Sequence, residues 1–360
     1  MTVVPGRVSV LVPCHNGARY LGEALDSALG QTHGDVEILV ADDGSTDTSA
    51  AVARAYGPRV RCLAQENRGP SAARNLALGA STGEYVALLD ADDRFHPRKL
   101  ARQVELLAAR PDAGAAYCGW RFIDADGDEL PERGWPRVEG DLLPQLLLGN
   151  LFHPVSVVLR REVVERAGGF DERWRVNEDW ALFLEASRQG ARWVCVDEAL
   201  CDYRLHPGQS HQRLALVHAV ALEILERFFA DPTLPAALRR LEPEAYEQAD
   251  LRAAAEFYAA DAQVDGDRAL ARAITRRPAI LGDAAFALRL LRMLLPDGHR
   301  SRAAVVSQRR RLLAMLRPAL VRVARSPAER WRGRAMLLRL ALRLRWRALT
   351  RGAGAVSRAS

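Results

Sequence analysis

Residues 36–47 read VEILVADDGSTD and join an apolar run to a cluster of carboxylates. Val36 to Ala41 is rich in β-branched and aliphatic residues, which is typical of a buried strand. The DDGSTD that follows contains Gly44 and several other residues that favour turns. The segment therefore predicts a buried strand that ends in an acidic turn.

Apolar runs of strand length recur around this segment, at Val8 to Val12, Val60 to Leu63 and Tyr85 to Leu89. Stretches with helical spacing of apolar residues, such as Tyr20 to Ala28, separate them. This alternation predicts βαβ units and a mostly parallel sheet with helices on both faces, which explains the continuously apolar strands. We therefore predict an α/β fold whose ligands bind beyond the carboxyl ends of the strands.

Polar segments follow three of these strands: PCHNG at 13–17, DDGSTD at 42–47 and DADD at 90–93. In a parallel sheet they meet at one edge and bring up to six carboxylates together. Carboxylates at this density repel one another, so a bound cation would stabilise them. Mg²⁺ or Mn²⁺ takes one or two protein carboxylates beside water and phosphate, which suits Asp92 and Asp93.

These segments also have purely structural interpretations. DDGSTD is a common strand-to-helix turn in which Ser45 or Asp47 caps the next helix, and DADD is common in solvated loops. Residues 67–75 read NRGPSAARN, where Gly-Pro starts a helix that Ser71 can cap. Arg68 and Arg74 flank that start and either receive an anion or pair with the surplus aspartates; their spacing leaves both open.

The chain of 360 residues is 49% hydrophobic and 27% charged, which excludes a disordered, collagen-like or small disulfide-stabilised protein. Five scattered cysteines without a CxxC pair argue against a disulfide framework or zinc site and favour a reducing compartment. The N-terminus shows no signal peptide, so we expect a cytoplasmic protein. Residues 142–159 lack charges but contain two prolines, and they predict a buried helix, a turn and a strand rather than a membrane span.

Charge divides the chain into two regions. Residues 268–360 contain 23 Arg, no Lys and 3 acids, a net charge of +20; the whole chain carries +6, so residues 1–267 carry −14. Strand signals stop near residue 211, and leucine, alanine and arginine at helical spacing take over. We predict an α/β domain over 1–215 and an Arg-rich α-helical domain over 216–360.

Six segments in order resemble one protein family. They are VSVLVPCHNGARYLGEALDSALGQT, VEILVADDGSTDTS, NRGPSAARNLAL, GEYVALLDADDRFHPRKL, RREVVERAGGFDERW and NEDWALFLEAS, within about residues 7–210. The set resembles the inverting glycosyltransferases of family 2, of the bacterial polysaccharide and O-antigen type. The resemblance implies a GT-A fold, Rossmann-like with a mostly parallel sheet flanked by helices. It also implies a nucleotide-diphospho-sugar donor, a divalent metal, Mg²⁺ or Mn²⁺, and inversion at the anomeric carbon.

The resemblance assigns roles residue by residue. It implies that the nucleotide-sugar is contacted by Pro13, His15, Asp42, Asp43, Asn67, Arg68, Arg74, Asp90, Asp93 and His206. Asp92 matches the metal-binding aspartate of the DXD-type motif, and Asp179 matches the general base. The acceptor is expected to contact Glu178, Trp174 and Trp180. Cys14 and His15 depart mildly from the usual pattern, which leaves uracil and thymine both open.

The expected chemistry suits these residue types. An aspartate is an adequate base, because the acceptor hydroxyl loses its proton only as positive charge develops at the sugar carbon. Metal and nearby Arg or His donors neutralise the leaving diphosphate. Structural alternatives remain: Glu178 and Asp179 at a helix start also suit the helix dipole, His206 also suits a surface turn, and either tryptophan also suits the core.

The Arg-dense segment 300–351 contains Trp331 and Trp346, and a helix over 335–349 places Arg339, Arg343 and Arg347 on one face. Such a helix can lie on an anionic membrane. This favours a peripheral protein on the inner face of the plasma membrane, acting on a saccharide or polyprenyl-linked saccharide. A solvated helical bundle of Arg-biased composition is the alternative.

Two other functional classes are compatible with parts of the sequence. A nucleotidyltransferase also uses an α/β sheet, metal and carboxylates, but its glycine-rich first loop is missing, since residues 13–17 read PCHNG. A basic membrane- or nucleic-acid-binding protein with a degenerate front domain would not need Asp43, Asp92 and Asp179. We expect no nucleic-acid partner.

Overall fold

The computed structural model describes residues 2–131, 134–209, 213–260 and 262–277. The chain divides into two compact units, residues 1–224 and 225–360. The domain boundary after residue 215 stays a prediction, because residues 278–360 lie outside the described part.

Strands and helices alternate through the first unit. The described strands are Val4–Cys14 (β1), Val36–Asp43 (β2), Arg61–Gln65 (β3), Gly83–Leu88 (β4), Arg94–Phe95 (β5), Ala115–Ile123 (β6), Val157–Arg160 (β7) and Trp193–Arg204 (β8). The described helices up to residue 229 are Ala18–Leu29 (α1), Ser49–Ala55 (α2), Pro70–Ala80 (α3), Lys99–Ala109 (α4), Leu143–Leu147 (α5), Arg161–Arg166 (α6), Glu178–Arg188 (α7) and Leu214–Phe229 (α8). The predicted strands and their order are confirmed.

The strands form one mixed sheet in the order β3-β2-β1-β4-β7-β6-β8-β5. The pairs β1–β2, β2–β3, β1–β4 and β6–β8 are parallel, as expected from βαβ units. The short strand β7 runs antiparallel to both β4 and β6, and β5 runs antiparallel to β8. Val8, Val10 and Val12 of β1 are fully buried, because helices cover both faces of a central strand.

Register brings the carboxyl ends of three strands to one edge of the sheet. Cys14 of β1 lies opposite Asp42 of β2, and Leu11 of β1 lies opposite Leu88 of β4. The residues after β1, β2 and β4 therefore lie at the same edge of the sheet, as predicted.

Two local predictions have different outcomes. Residues 142–159 form α5, a 3₁₀ turn at Pro154–Ser156 and then β7, which confirms the predicted buried helix, turn and strand. Ser71 was expected to cap α3, but its hydroxyl donates to the Trp174 carbonyl oxygen at 2.7 Å and makes no cap. Gly69, at φ +98°, starts the helix instead and leaves Ser71 inside the first turn, facing the core.

The second unit is helical where it is described. It contains Ala236–Arg239 (α9), Glu242–Ala259 (α10) and Gln263–Arg276 (α11). Asp250 of α10 is fully buried and pairs with Arg272 at 2.8 Å and Arg276 at 3.3 Å, which joins α10 to α11. Among the described helices of the chain, none has the length and apolar character needed to cross a membrane.

Candidate active site

The carboxylate of Asp43 organises the loop that follows β3. Asp43 is 4% exposed and accepts hydrogen bonds from the backbone N–H groups of Arg68 and Gly69, both at 2.8 Å, and from Gln65 Nε2 at 2.7 Å. The guanidinium of Arg68 points outward to an exposed ion pair with Glu172 at 2.6 Å. Asp43 therefore holds residues 67–69 against the end of β2.

An imidazole lies over this loop. His15 Nδ1 donates to the backbone oxygen of Asp43 at 2.9 Å, and Asn67 Nδ2 lies 3.2 Å from His15 Nε2. His15 and Asn67 are exposed, and Pro13 beside them is half-buried. These three side chains, which we call the platform, could receive a nucleotide base and ribose.

Side chains also stabilise the turn after β2. Asn16, in the left-handed region at φ 55°, accepts backbone N–H donors from Thr46 at 2.8 Å and Asp47 at 3.2 Å. Asp42 is buried and accepts the Ser45 N–H at 3.1 Å. Asp42 thus stabilises the turn, but neither Ser45 nor Asp47 is the N-cap of α2, which is Thr48 and makes no side-chain cap. Asp42 as a donor contact stays a prediction.

Arg74 joins two parts of the site. Its side chain is 2% exposed, forms ion pairs with Asp90 after β4 and Glu178 at the start of α7, and lies 5.5 Å from the Phe170 ring centroid. These carboxylates hold the pKa of Arg74 above its ordinary value against the effect of burial. Of the two roles that the sequence left open, the structure shows pairing with acids.

The three aspartates of DADD lie in different environments. Asp93 is 1% exposed and accepts the Arg204 N–H at 2.9 Å, and burial holds its pKa well above the ordinary range. Burial also raises the pKa of Asp90, to about 6, against the effect of Arg74. The side chain of Asp92 is 23% exposed and faces His206, whose Nε2 lies 2.9 Å from Oδ2. The Asp90 side chain is 27% exposed, but its carboxylate is paired with Arg74, so Asp92, partly exposed beside His206, is the member best placed to meet a ligand.

His206 is anchored beside Asp92 from two directions. Its ring centroid lies 4.9 Å from that of Tyr20 on α1, and its backbone N–H donates to Gln209 Oε1 at 3.0 Å. Gln209 Nε2 also donates to Asp92 at 3.2 Å. The segment after β8 thus brings a histidine to the acidic loop after β4, which spacing alone did not determine.

Asp179 occupies the first turn of α7. Asn177 adopts the left-handed conformation at φ 57° just before it, and Glu178 and Asp179 are each 8% exposed. Asp179 Oδ2 accepts a hydrogen bond from Asn150 Nδ2 at 2.8 Å. Burial, together with the charge of Glu178, raises the pKa of Asp179 to about 7. A carboxylate of this pKa can take up a proton near neutral pH.

The two tryptophans assigned to the acceptor are buried. Trp174 is 5% exposed, and Trp180 is 4% exposed with its Nε1 donating to the Leu146 carbonyl oxygen at 2.8 Å. These are environments of core residues, so acceptor contact by either indole stays a prediction.

Arg204 is a residue of the site that the sequence motifs did not indicate. Its fully buried side chain donates to the backbone oxygen of Asp92 at 2.8 Å and to Glu23 at 2.7 Å, and lies 4.6 Å from the Tyr20 ring centroid. It supports the DADD loop from within the protein. The signal was its place in YRLHPGQS, two residues before His206.

The donor set suits a metal that shares its coordination with a ligand. In the part of the chain that is described, no three His, Cys, Asp or Glu side chains form a cluster able to enclose a metal. Asp92 and His206 lie side by side and partly exposed. Mg²⁺ or Mn²⁺ held by few protein groups and a diphosphate fits this arrangement, whereas a fully enclosed structural metal does not.

Comparison with known proteins decides the family. The model of the family described as Glycosyl transferase family 2 matches residues 9–167. The chain is similar to an uncharacterised glycosyltransferase of Nostoc sp., with 35% identity over 221 residues, covering 58% of this chain and 68% of the relative. The chain belongs to glycosyl transferase family 2. The predicted membership of this family and the predicted enzyme class are thereby confirmed.

Other family 2 relatives match the same region. The succinoglycan biosynthesis protein ExoO of Rhizobium meliloti is 33% identical over 240 residues, covering 62% of this chain and 67% of ExoO. An uncharacterised glycosyltransferase of Rickettsia prowazekii is 31% identical over 208 residues, covering 56% of this chain. The match spans 65% of the length of the Rickettsia relative.

Solved structures of low sequence identity share the fold. S. aureus TarS 1–349 with UDP-GlcNAc has a TM-score of 0.57 at 18% identity, covering 84% of this chain and 89% of TarS. The mannosyltransferase PcManGT from Pyrobaculum calidifontis, with GDP-Man and Mn²⁺, has a TM-score of 0.55 at 21% identity, covering 94% of this chain and 87% of PcManGT. The predicted GT-A fold is confirmed.

Proposed function

We propose that this glycosyltransferase moves one sugar from a nucleotide-diphospho-sugar to a hydroxyl group, with inversion at the anomeric carbon. The observation that carries the proposal is the presence of two carboxylates in different environments. Asp92 is partly exposed beside His206, whereas Asp179 is buried with a pKa of about 7. Arg74 bridges the neighbours of both, Asp90 and Glu178. An inverting transfer needs one group for the leaving diphosphate and another to accept a proton.

The donor is proposed to lie along the edge formed by β1, β2 and β4. The platform of Pro13, His15 and Asn67 would receive the base and ribose, with Asp42, Asp43 and Arg68 around it. We favour UDP- or dTDP-sugars, on the sequence resemblance. TarS and PcManGT, which share the fold, were solved with UDP-GlcNAc and with GDP-Man.

Asp92 and His206 are proposed to hold Mg²⁺ or Mn²⁺ together with the diphosphate. The metal, when bound, supplies positive charge that stabilises the departing nucleoside diphosphate. PcManGT was solved with Mn²⁺, which supports this choice. Asp90 and Asp93 shape the loop that presents Asp92: Asp90 by pairing with Arg74, and Asp93 by accepting the Arg204 N–H.

Asp179 is proposed to accept the proton of the attacking hydroxyl. Its carboxylate is ionised above a pH of about 7, where it can act as a base. Glu178 beside it raises the pKa of Asp179, whereas Arg74, which pairs with Glu178, lowers it. Glu178, Trp174 and Trp180 remain our proposed acceptor contacts.

The acceptor is proposed to be a saccharide or polyprenyl-linked saccharide in cell-surface polysaccharide synthesis. ExoO, a relative, is named for succinoglycan biosynthesis, which supports a polysaccharide product. The Arg-rich segment 300–351 lies outside the described residues. The proposed location of the protein on the inner face of the plasma membrane is therefore supported only by the positive charge of this segment.

Asp92→Asn is expected to remove the metal-dependent part of nucleotide binding. In the wild type, UDP with Mn²⁺ at about 100 times the dissociation constant should stabilise the fold by about 2.7 kcal/mol, measured by thermal unfolding across nucleotides and nucleotide sugars. The variant should respond equally with and without Mn²⁺, because the amide is a weaker metal ligand. Asp126→Asn is the matched control, since Asp126 is exposed and pairs only with exposed Arg19 among the ion pairs described. A wild type that responds to no nucleotide would contradict the proposed function.

The full chain is expected to sediment with anionic vesicles. Phosphatidylglycerol vesicles should carry the protein down at low salt, phosphatidylcholine vesicles should not, and 0.5 M salt should release it, because screening weakens the attraction of the arginines to phosphates. Deletion of 300–360 should abolish sedimentation. Unchanged sedimentation after the deletion would contradict the membrane proposal without affecting the sugar-transfer proposal.

A further inference from the structure

The Asp179 carboxylate is contacted by a side chain from a separate segment. Asn150 lies after α5, and its Nδ2 donates to Asp179 Oδ2 at 2.8 Å. Neither the sequence resemblance nor the relatives assign a role to Asn150. Asp179 is the residue that we propose as the base, so this hydrogen bond can affect how its carboxylate is oriented and how readily it accepts a proton.

The orientation of the Asn150 amide is determined by its second hydrogen bond. The backbone N–H of Phe152 donates to Asn150 Oδ1 at 3.3 Å, which identifies that atom as the carbonyl oxygen. The NH₂ group therefore faces Asp179 and is a donor to it. The ring of Phe152 stacks on Trp193 at 4.6 Å and packs on Tyr117 at 4.4 Å between centroids, so the loop is anchored in the core.

A second contact joins the same two segments. Trp180, the next residue of α7, donates from Nε1 to the Leu146 carbonyl oxygen of α5 at 2.8 Å. Leu146 is fully buried. Two successive residues of α7 are thus held by the segment 146–150, which limits movement of the start of the helix.

We propose that Asn150 is a positioning residue that holds Asp179 in one orientation and stabilises its ionised form by donating a hydrogen bond to Oδ2. The inference rests on the proposed role of Asp179 as the base. An amide is suited to this task because it donates at every pH and adds no charge.

Several other groups act on Asp179. Glu178 on the same helix raises its pKa, whereas the backbone N–H of Trp180 and the charge of Arg74 from α3 lower it. Tyr203 from β8 also lies within electrostatic range of Asp179. The hydrogen bond from Asn150 opposes burial and lowers the pKa of Asp179. Its loss should therefore favour the protonated carboxyl.

The experiment is a ¹³C NMR titration of the full chain labelled at the aspartate carboxyl carbons, without ligand. The signal of Asp179 is identified by its absence in Asp179→Asn. In Asn150→Ala the titration midpoint of Asp179 should rise by about one pH unit. In the isosteric Asn150→Asp it should rise further, because like charges disfavour ionisation. Gln145→Ala, which removes an exposed amide from α5, should leave it unchanged.

An unchanged midpoint in folded Asn150→Ala would overturn the inference, as would an equal shift in Gln145→Ala. Asn150→Leu, which keeps much of the side-chain volume but has no hydrogen-bond donor and no charge, provides the titration if the alanine variant does not fold. The role of Asp179 as the base is tested independently. If Asp179→Asn retained full transfer activity, that role would be wrong whatever the Asn150 variants show.

Discussion

Asp179→Asn is expected to lower the rate of sugar transfer by about 10²- to 10⁴-fold, the usual contribution of a general base. The amide keeps the size of the carboxylate and can still pair with Asn150 after rotation, but it cannot take up a proton. Nucleotide binding should be unchanged, because Asp179 lies on α7 and is not one of the platform residues Pro13, His15 and Asn67. The measurement is nucleoside diphosphate released from a panel of nucleotide sugars, with thermal shift by nucleotide as the binding test.

The pH dependence of the wild-type rate follows from the same carboxylate. The pKa of Asp179 is raised to about 7, so the ionised and active form is lost as the pH falls through that value. The rate should rise with pH between about 6 and 8 and then level off. Glu185→Gln, at the far end of α7, is the matched control and should retain both the rate and the profile. Transfer activity retained by Asp179→Asn would show that another group accepts the proton.

Arg74→Met is expected to lower the free energy of unfolding by about 3–5 kcal/mol, the usual cost of leaving buried charges without their partner. Arg74 is 2% exposed and neutralises Asp90 and Glu178 together. Methionine fills much of the same volume but carries no charge. Urea unfolding at pH 8 measures the loss.

Arg68→Met is the control, because its pair with Glu172 is exposed and such pairs contribute about 0–1 kcal/mol. The loss of unfolding free energy in Arg74→Met should also be smaller at pH 5 than at pH 8. The guanidinium lowers the pKa of Asp90, so without it that pKa rises, Asp90 becomes neutral as the pH falls, and its repulsion with Glu178 is relieved. Equal losses in the two variants, or a deficit independent of pH, would contradict a buried bridging role for Arg74.

Much of the site was predictable because it follows directly from strand ends. The apolar runs before PCHNG, DDGSTD and DADD identify β1, β2 and β4, and parallel pairing places their ends together. The roles of individual carboxylates were not predictable in this way. Asp92 and Asp93 are neighbours in sequence, yet one faces His206 and the other is buried against Arg204.

Local sequence patterns also could not predict which side chains from distant segments contact one another. Arg74 and Glu178 are separated by 104 residues, and Asn150 precedes Asp179 by 29 residues in a loop with no motif of its own. The resemblance implied an acceptor contact for Trp180 from its place in NEDW. Its burial against Leu146 depends on how α5 packs on α7, which periodicity in one helix does not specify.

The sequence by itself therefore determined the alternation of strands and helices, the edge at which the polar segments meet, and the family to which the chain belongs. These properties depend on side-chain type and spacing along continuous segments. Only the tertiary structure decided which carboxylate is exposed, which is paired, and which carries a pKa near 7. Those properties depend on burial and on charges brought together from distant parts of the chain, because the free energy of ionising a carboxyl group is set by its surroundings in space.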